Sequence, residues 1–87
     1  MKTIWKYEIQ NTDYQLITAP DNAEILCVQL QHGDPFLWLL VDPNIPVRDY
    51  GVKIFGTGHP VNLDDEFKYA GTFQQQGEFL VLHVFVA

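Results

Sequence analysis

Apolar side chains recur at every second position through most of this chain, and about every eight to twelve residues glycine, proline, asparagine or aspartate interrupts them. Successive side chains leave a strand on opposite faces, whereas a half-buried helix repeats every 3.6 residues. No stretch carries the helical spacing. The pattern predicts an all-β domain, a small antiparallel β-sandwich or barrel-like fold of about seven strands.

The expected strands are 3–9, 14–18, 24–32, 36–41, 49–55, 67–75 and 78–86. Trp5, Tyr7 and Ile9 alternate with Ile4, Lys6 and Glu8 in the first, which Asn11-Thr12-Asp13 is expected to hairpin to the second. Pro20-Asp21-Asn22 reads as a tight turn, with proline presetting φ and the Asp and Asn side chains bonding back to the backbone. Leu26, Val28 and Leu30 share one face of the third strand, and Cys27, Gln29 and Gln31 the other. His32-Gly33-Asp34 returns it into the fourth. Asp42-Pro43-Asn44-Ile45-Pro46 ends the fourth, because proline donates nothing to a ladder. Gly71 marks a bulge or the close approach of another backbone, and Gln76-Gly77 turns the sixth strand into the seventh.

The fourth and seventh strands are apolar on both faces: Phe36, Trp38 and Leu40 against Leu37, Leu39 and Val41, then Phe79, Val81, His83 and Phe85 against Leu80, Leu82, Val84 and Val86. An antiparallel sheet normally wets one face. Each large apolar side chain left in water forgoes about 1.5–3 kcal/mol. A homo-oligomer buried through these two strands, most simply a symmetric dimer, is therefore expected.

Eighty-seven residues make one domain, 1–87, and a chain 47% hydrophobic is too apolar for disorder at net charge −6. Eleven acidic against five basic side chains exclude a duplex-binding surface, which needs clustered cations. The longest apolar runs are strand-sized, so no membrane partner is expected. Lys2 and Lys6 precede no apolar leader, so no signal peptide is expected and a cytoplasmic setting in a bacterial host follows. One cysteine, Cys27, forbids an internal disulfide, and its apolar neighbours suit an inert thiol. There is no serine, which removes every Ser-His-Asp scheme. His32, His59 and His83 fall in separate elements with no metal-ligand spacing between them and Cys27, so neither a metal nor a cofactor is expected. Asp64-Asp65-Glu66 reads as a solvated loop. No enzyme is expected.

Chemistry concentrates between Tyr50 and Pro60. There an extended run breaks into Gly56-Thr57-Gly58, followed by His59 held extended by Pro60. The bland reading is a strand-to-strand corner. The functional one is a ligand-gripping loop, in which Phe55, Gly56, Thr57, Gly58 and His59 present peptide N–H groups, a hydroxyl and an imidazole. Trp38 and Tyr50 would offer faces on which a planar base stacks, at about 1–3 kcal/mol apiece. Arg48 or Lys53 would supply positive charge. Aromatics in so small a chain also serve as core, and His83, between Val81 and Phe85, reads as a buried neutral histidine with one partner.

Several segments together carry a resemblance: Met-Lys-Thr-Ile-Trp-Lys-Tyr at 1–7, Ala-Glu-Ile-Leu-Cys-Val-Gln at 23–29, Leu-Trp-Leu-Leu-Val-Asp-Pro at 37–43, Ile-Phe-Gly-Thr-Gly-His-Pro at 54–60, Tyr-Ala-Gly-Thr-Phe at 69–73 and Leu-His-Val-Phe at 82–85. The chain resembles a family of small phage and prophage proteins described as a domain of unknown function. That resemblance transfers no residue role. It implies a phage or bacterial cytoplasmic setting, where compact acidic oligomers are often counter-defence proteins. Two functions are thus expected in competition. One is a sponge that sequesters a small nucleotide-type immune signal without reacting with it. The other is an acidic inhibitor that docks on a basic site of a host defence protein, as a DNA mimic or steric plug.

Overall fold

A computed structural model describes residues 1–77 and 79–87. It contains seven strands: β1 (Thr3–Glu8), β2 (Tyr14–Pro20), β3 (Glu24–Gln31), β4 (Asp34–Val41), β5 (Val47–Gly56), β6 (Lys68–Gln75) and β7 (Leu80–Val86). They form two antiparallel sheets packed as a sandwich, β1-β4-β3 and β2-β5-β7-β6. Among the described residues there is no helix, hence none long and apolar enough to cross a membrane. The all-β sandwich expected from the alternation is the fold observed.

The core lies between the sheets and takes one face of every long strand. Leu37, Leu39 and Val41 of β4 meet Val52 and Ile54 of β5 and Leu82, Val84 and Val86 of β7, all buried. The opposite faces of β4 and β7 are only half-buried. On β4 the Lys6 ammonium lies 4.8 Å from the Phe36 ring centroid and 5.6 Å from that of Trp38, so its aliphatic stem covers apolar surface. On β7 the Phe85 ring packs edge-on against Phe55 at 6.0 Å and Tyr69 at 5.6 Å.

β5 and β6 both run antiparallel to β7, so they run parallel to each other, and the segment 57–67 must travel back along the sheet. It does so over the outer face. Lys53 donates to the Asn62 carbonyl at 3.0 Å and lies 4.7 Å from the Phe67 ring centroid. The chain thus covers part of its own second apolar face.

Two turns behave as their residues require. Gln31 pairs with Asp34 across His32 (φ 54°) and Gly33 (φ 83°), the double positive φ of a type I′ hairpin. Gly71 is both things expected of it. The ladder shifts register between Tyr69 and Gly71, and a Cβ at Gly71 would come within 3.0 Å of the Val28 backbone nitrogen. Only a residue without a side chain lets β6 and β3 approach this closely and shut that side of the sandwich.

Other expectations need correction. β1 and β2 form no hairpin: β1 pairs with β4, and β2 with β5 in the other sheet. The Gln15 side chain explains how. It accepts from the Gln10 N–H at 2.9 Å and donates to the Gln10 carbonyl at 2.7 Å, filling the place of a pairing strand while the chain changes sheets. In β3 a bulge between Ile25 and Cys27 resets the alternation, so Ile25 and Val28 face the core while Leu26 is exposed; Leu30, on the Val28 face but near the strand's end, is exposed as well. The expected start of the seventh strand at Glu78 lies outside the described residues, and Phe79 belongs to the turn before β7.

Candidate functional site

The Gly-Thr-Gly-His loop closes the end of β5 as a β-turn, with the His59 N–H donating to the Gly56 carbonyl at 3.1 Å and Gly58 at φ 86°. The His59 ring folds back over Gly56. A Cβ at Gly56 would lie 3.0 Å from the ring's Nδ1 and Cε1, so the glycine makes room for the imidazole. Thr57 ties the turn to the sheet, donating its N–H to the Val81 carbonyl at 3.2 Å.

The Thr57 hydroxyl begins a chain of hydrogen bonds across the outer face. Its Oγ1 lies 2.6 Å from His83 Nε2, His83 Nδ1 lies 2.9 Å from Thr72 Oγ1, and Thr72 Oγ1 lies 2.6 Å from the Tyr69 hydroxyl. Neutral imidazole carries one donor and one acceptor nitrogen, so one threonine donates to the ring and the other accepts from it. His83 is half-buried with two partners, where the sequence pointed to burial and one. Thr72 stands opposite His83 in the β6–β7 register, a placement that only the pairing reveals.

Below this loop the sandwich opens. A cleft of about 390 Å³ runs between Thr57 and His59 on one side and Asn11, Thr12 and Asp13 on the other, with Ile54, Leu80 and Leu82 as its floor. Phe79, 90% exposed, stands at its edge. An apolar floor with a few convergent polar groups is how small-molecule sites are built. The Asn11–Asp13 turn and Phe79 drew no functional reading from the sequence. Their only signal is an apolar ring immediately after a turn, which alternation assigns to a strand.

The eight residues singled out in the sequence do not converge in one chain. Phe55, Gly56, Thr57, Gly58 and His59 stay together around the loop. Arg48 and Tyr50 lie toward the other end of β5, roughly 26 and 20 Å from Gly56 at the rise of a strand. Tyr50 is 4% exposed, and its hydroxyl donates to the Pro20 carbonyl at 2.6 Å while accepting from the Ala23 N–H at 3.1 Å. The Arg48 guanidinium stacks 3.6 Å from the Tyr50 ring centroid and is paired to Asp21 at 3.0 Å. Trp38 is on the other sheet, with its indole nitrogen buried and without a partner among the described residues. The N–H groups of Thr57 and His59 are spent within the fold, Lys53 is spent on Asn62, and among the described residues the one charged side chain lining the cleft is Asp13. The cleft therefore suits an uncharged ring with polar edges better than a phosphate.

Two other depressions exist. One of about 1050 Å³, between the β3–β4 and β6–β7 hairpins, is more open, is lined by Gln29, Gln74, Gln75 and Gln76, and has no titratable group among its described lining residues. Another of about 570 Å³ lies on the outer face beside Tyr14, Leu16 and Gly51. Cys27 is half-buried opposite Trp38. Among the described residues no three His, Cys, Asp or Glu side chains gather in a way that could hold a metal ion.

Residues 1–87 match the family described as Domain of unknown function (DUF7352), and the chain belongs to that family. No curated protein and no solved structure matches it.

Proposed function

We propose that this member of the family is a non-enzymatic binding module that holds a small nucleotide-type ligand, base end inward, in the cleft beneath the Gly56–His59 turn. The observation that carries this reading is the cleft itself. It joins an apolar floor, the Asn11 amide, an imidazole and an exposed phenyl ring in a volume of about 390 Å³, near the lower end of small-ligand sites. Phe79 offers a face for a planar ring, and Asn11 and His59 offer edges that discriminate its polar atoms. With no cation lining the cleft among the described residues, the sugar or phosphate end of a ligand would point to solvent. In a phage or bacterial setting such a module would act by sequestration, as a sponge for an immune signal. The inhibitor alternative draws on net charge −6. Its densest acidic stretch is partly committed to its own turn, since the Asp64 carboxylate accepts from the Glu66 N–H at 2.9 Å while the Asp64 main-chain carbonyl accepts from the Phe67 N–H at 3.3 Å.

The test is thermal stabilisation by a panel of nucleosides, cyclic and linear nucleotides and ADP-ribose. A ligand at about a hundred times its dissociation constant adds about 2.7 kcal/mol, which raises Tm by about 10–20 °C in a domain this small. Asn11→Ala and His59→Ala should abolish the shift while leaving Tm without ligand within a few degrees. No shift from any compound, together with salt-sensitive capture of a basic host protein, would transfer the case to the inhibitor.

A further inference from the structure

We propose that the free edge of β2 is a self-association surface, at which a second copy of this chain adds antiparallel and joins the two four-stranded sheets into one. The hydrogen-bond alternation of the sheet carries the argument. Gly51 exchanges both its main-chain groups with Ala87, N–H to O at 2.9 Å in each direction, so it bonds away from its β2 neighbour Leu16. The Ile54 N–H donates to the Asp13 carbonyl at 3.2 Å, which fixes the same alternation from the other end. Tyr14, Leu16 and Thr18 must then point their N–H and C=O groups out of the sheet. The Tyr14 carbonyl receives a long bond from the Thr12 hydroxyl at 3.4 Å. Among the described residues the other five groups have no partner.

The remaining edges are guarded. β1 carries Lys6 and Glu8, the charges that deter pairing at a sheet edge. β3 and β6 are both bulged and lean on each other through Gly71 and Val28. β2 reads Tyr-Gln-Leu-Ile-Thr-Ala-Pro, with no charge and no bulge, and only Pro20 at its end limits how far pairing can run. Its exposed side chains belong to the same three residues. Tyr14 and Leu16 are 55% and 57% exposed, unusual for large apolar groups on a strand otherwise facing a core.

The strand is also its own complement. A two-fold axis at Leu16 sets Leu16 against Leu16 of the second copy and Tyr14 against Thr18 twice. Every outward N–H then finds a carbonyl, and no like charges are brought face to face. The second copy expected from the apolar outer faces of β4 and β7 is thereby placed at a different surface, and this assignment does not depend on the cleft.

The experiment is a solution mass by light scattering at micromolar concentration, expected at twice the 10.0 kDa of the chain. Leu16→Pro removes an outward N–H without removing a hydrogen bond to β5, and Leu16→Lys adds an edge charge. Both should give the single-chain mass with the strand circular dichroism retained. If Leu16→Pro unfolds, a cross-link decides. In a Cys27→Ala background, Leu16→Cys places two cysteines with Cα atoms about 5.5 Å apart across the axis, within disulfide reach. It should cross-link on mild oxidation, while Ile4→Cys on the guarded β1 edge should not. A single-chain mass for the wild type, a dimer that persists in Leu16→Lys, or equal cross-linking at Ile4→Cys would each overturn the assignment.

Discussion

Replacing Tyr50 by phenylalanine removes one oxygen from a side chain that the sequence offers as a stacking platform and the structure uses as a pin. The hydroxyl sits where β2 leaves one sheet for the other, bonded to the Pro20 carbonyl at 2.6 Å and the Ala23 N–H at 3.1 Å. Phenylalanine keeps the ring, its core packing and the Arg48 contact, so the loss isolates two hydrogen bonds. An unpaired buried polar group costs about 1–3 kcal/mol, and Pro20 is buried while Ala23 is partly so. The sum is about 2–3 kcal/mol, a large fraction of the roughly 5–15 kcal/mol that holds such domains folded. Urea unfolding at neutral pH should report that loss with an unchanged slope, and Tm should fall by about 10–20 °C. Tyr14→Phe, on an exposed ring whose hydroxyl has no partner among the described residues, should stay within about 0.5 kcal/mol. A Tyr50→Phe protein as stable as wild type would refute the pin and reopen Tyr50 as a ligand platform.

Other outcomes follow from the same geometry. Gly71→Ala should destabilise by about 1–3 kcal/mol in denaturant titration, because its Cβ meets Val28 at 3.0 Å where β3 and β6 close the sandwich. Gly56→Ala should cost less than about 1 kcal/mol, since the atoms in its way belong to a movable side chain, yet it should displace His59 and weaken ligand binding. Burial first, and neighbouring Tyr50 second, raise the pKa of Tyr7 above its ordinary value of 10.0. The folded state therefore holds the phenol proton more tightly than the unfolded chain does. This contribution is complete below about pH 10 and is lost as pH rises through the folded value, so alkaline unfolding should be gentler in Tyr7→Phe.

What the sequence made legible is what period and turn chemistry encode. Alternation placed seven strands, and His32-Gly33 and Gly71 announced their hairpin and close approach by residue type. Partner choice left no such mark. Nothing local says that the Gln15 amide occupies the place of a neighbouring strand, so β1 and β2 looked like a hairpin. Nor does anything mark the bulge at Leu26, which exposes a leucine that alternation places on the same face as Val28. The candidate site divides the same way. Phe55 to His59 stayed together because they are contiguous. Trp38, Arg48 and Tyr50 depend on sheet membership and strand length, which separate them from the loop. Phe79 and the Asn11–Asp13 turn reach the cleft from distant parts of the sequence, through the topology that the missed pairing conceals.

The most direct test of the ligand cleft is a ¹H–¹⁵N correlation spectrum of the protein titrated with the compound that stabilises it most in the thermal panel. The account predicts saturable shifts confined to the amides of Asn11–Asp13, Gly56–His59 and Phe79–Leu82, with the Trp38 indole and Arg48 unmoved. Shifts centred on Trp38 or Arg48, or a spectrum unchanged at saturating ligand, would contradict it.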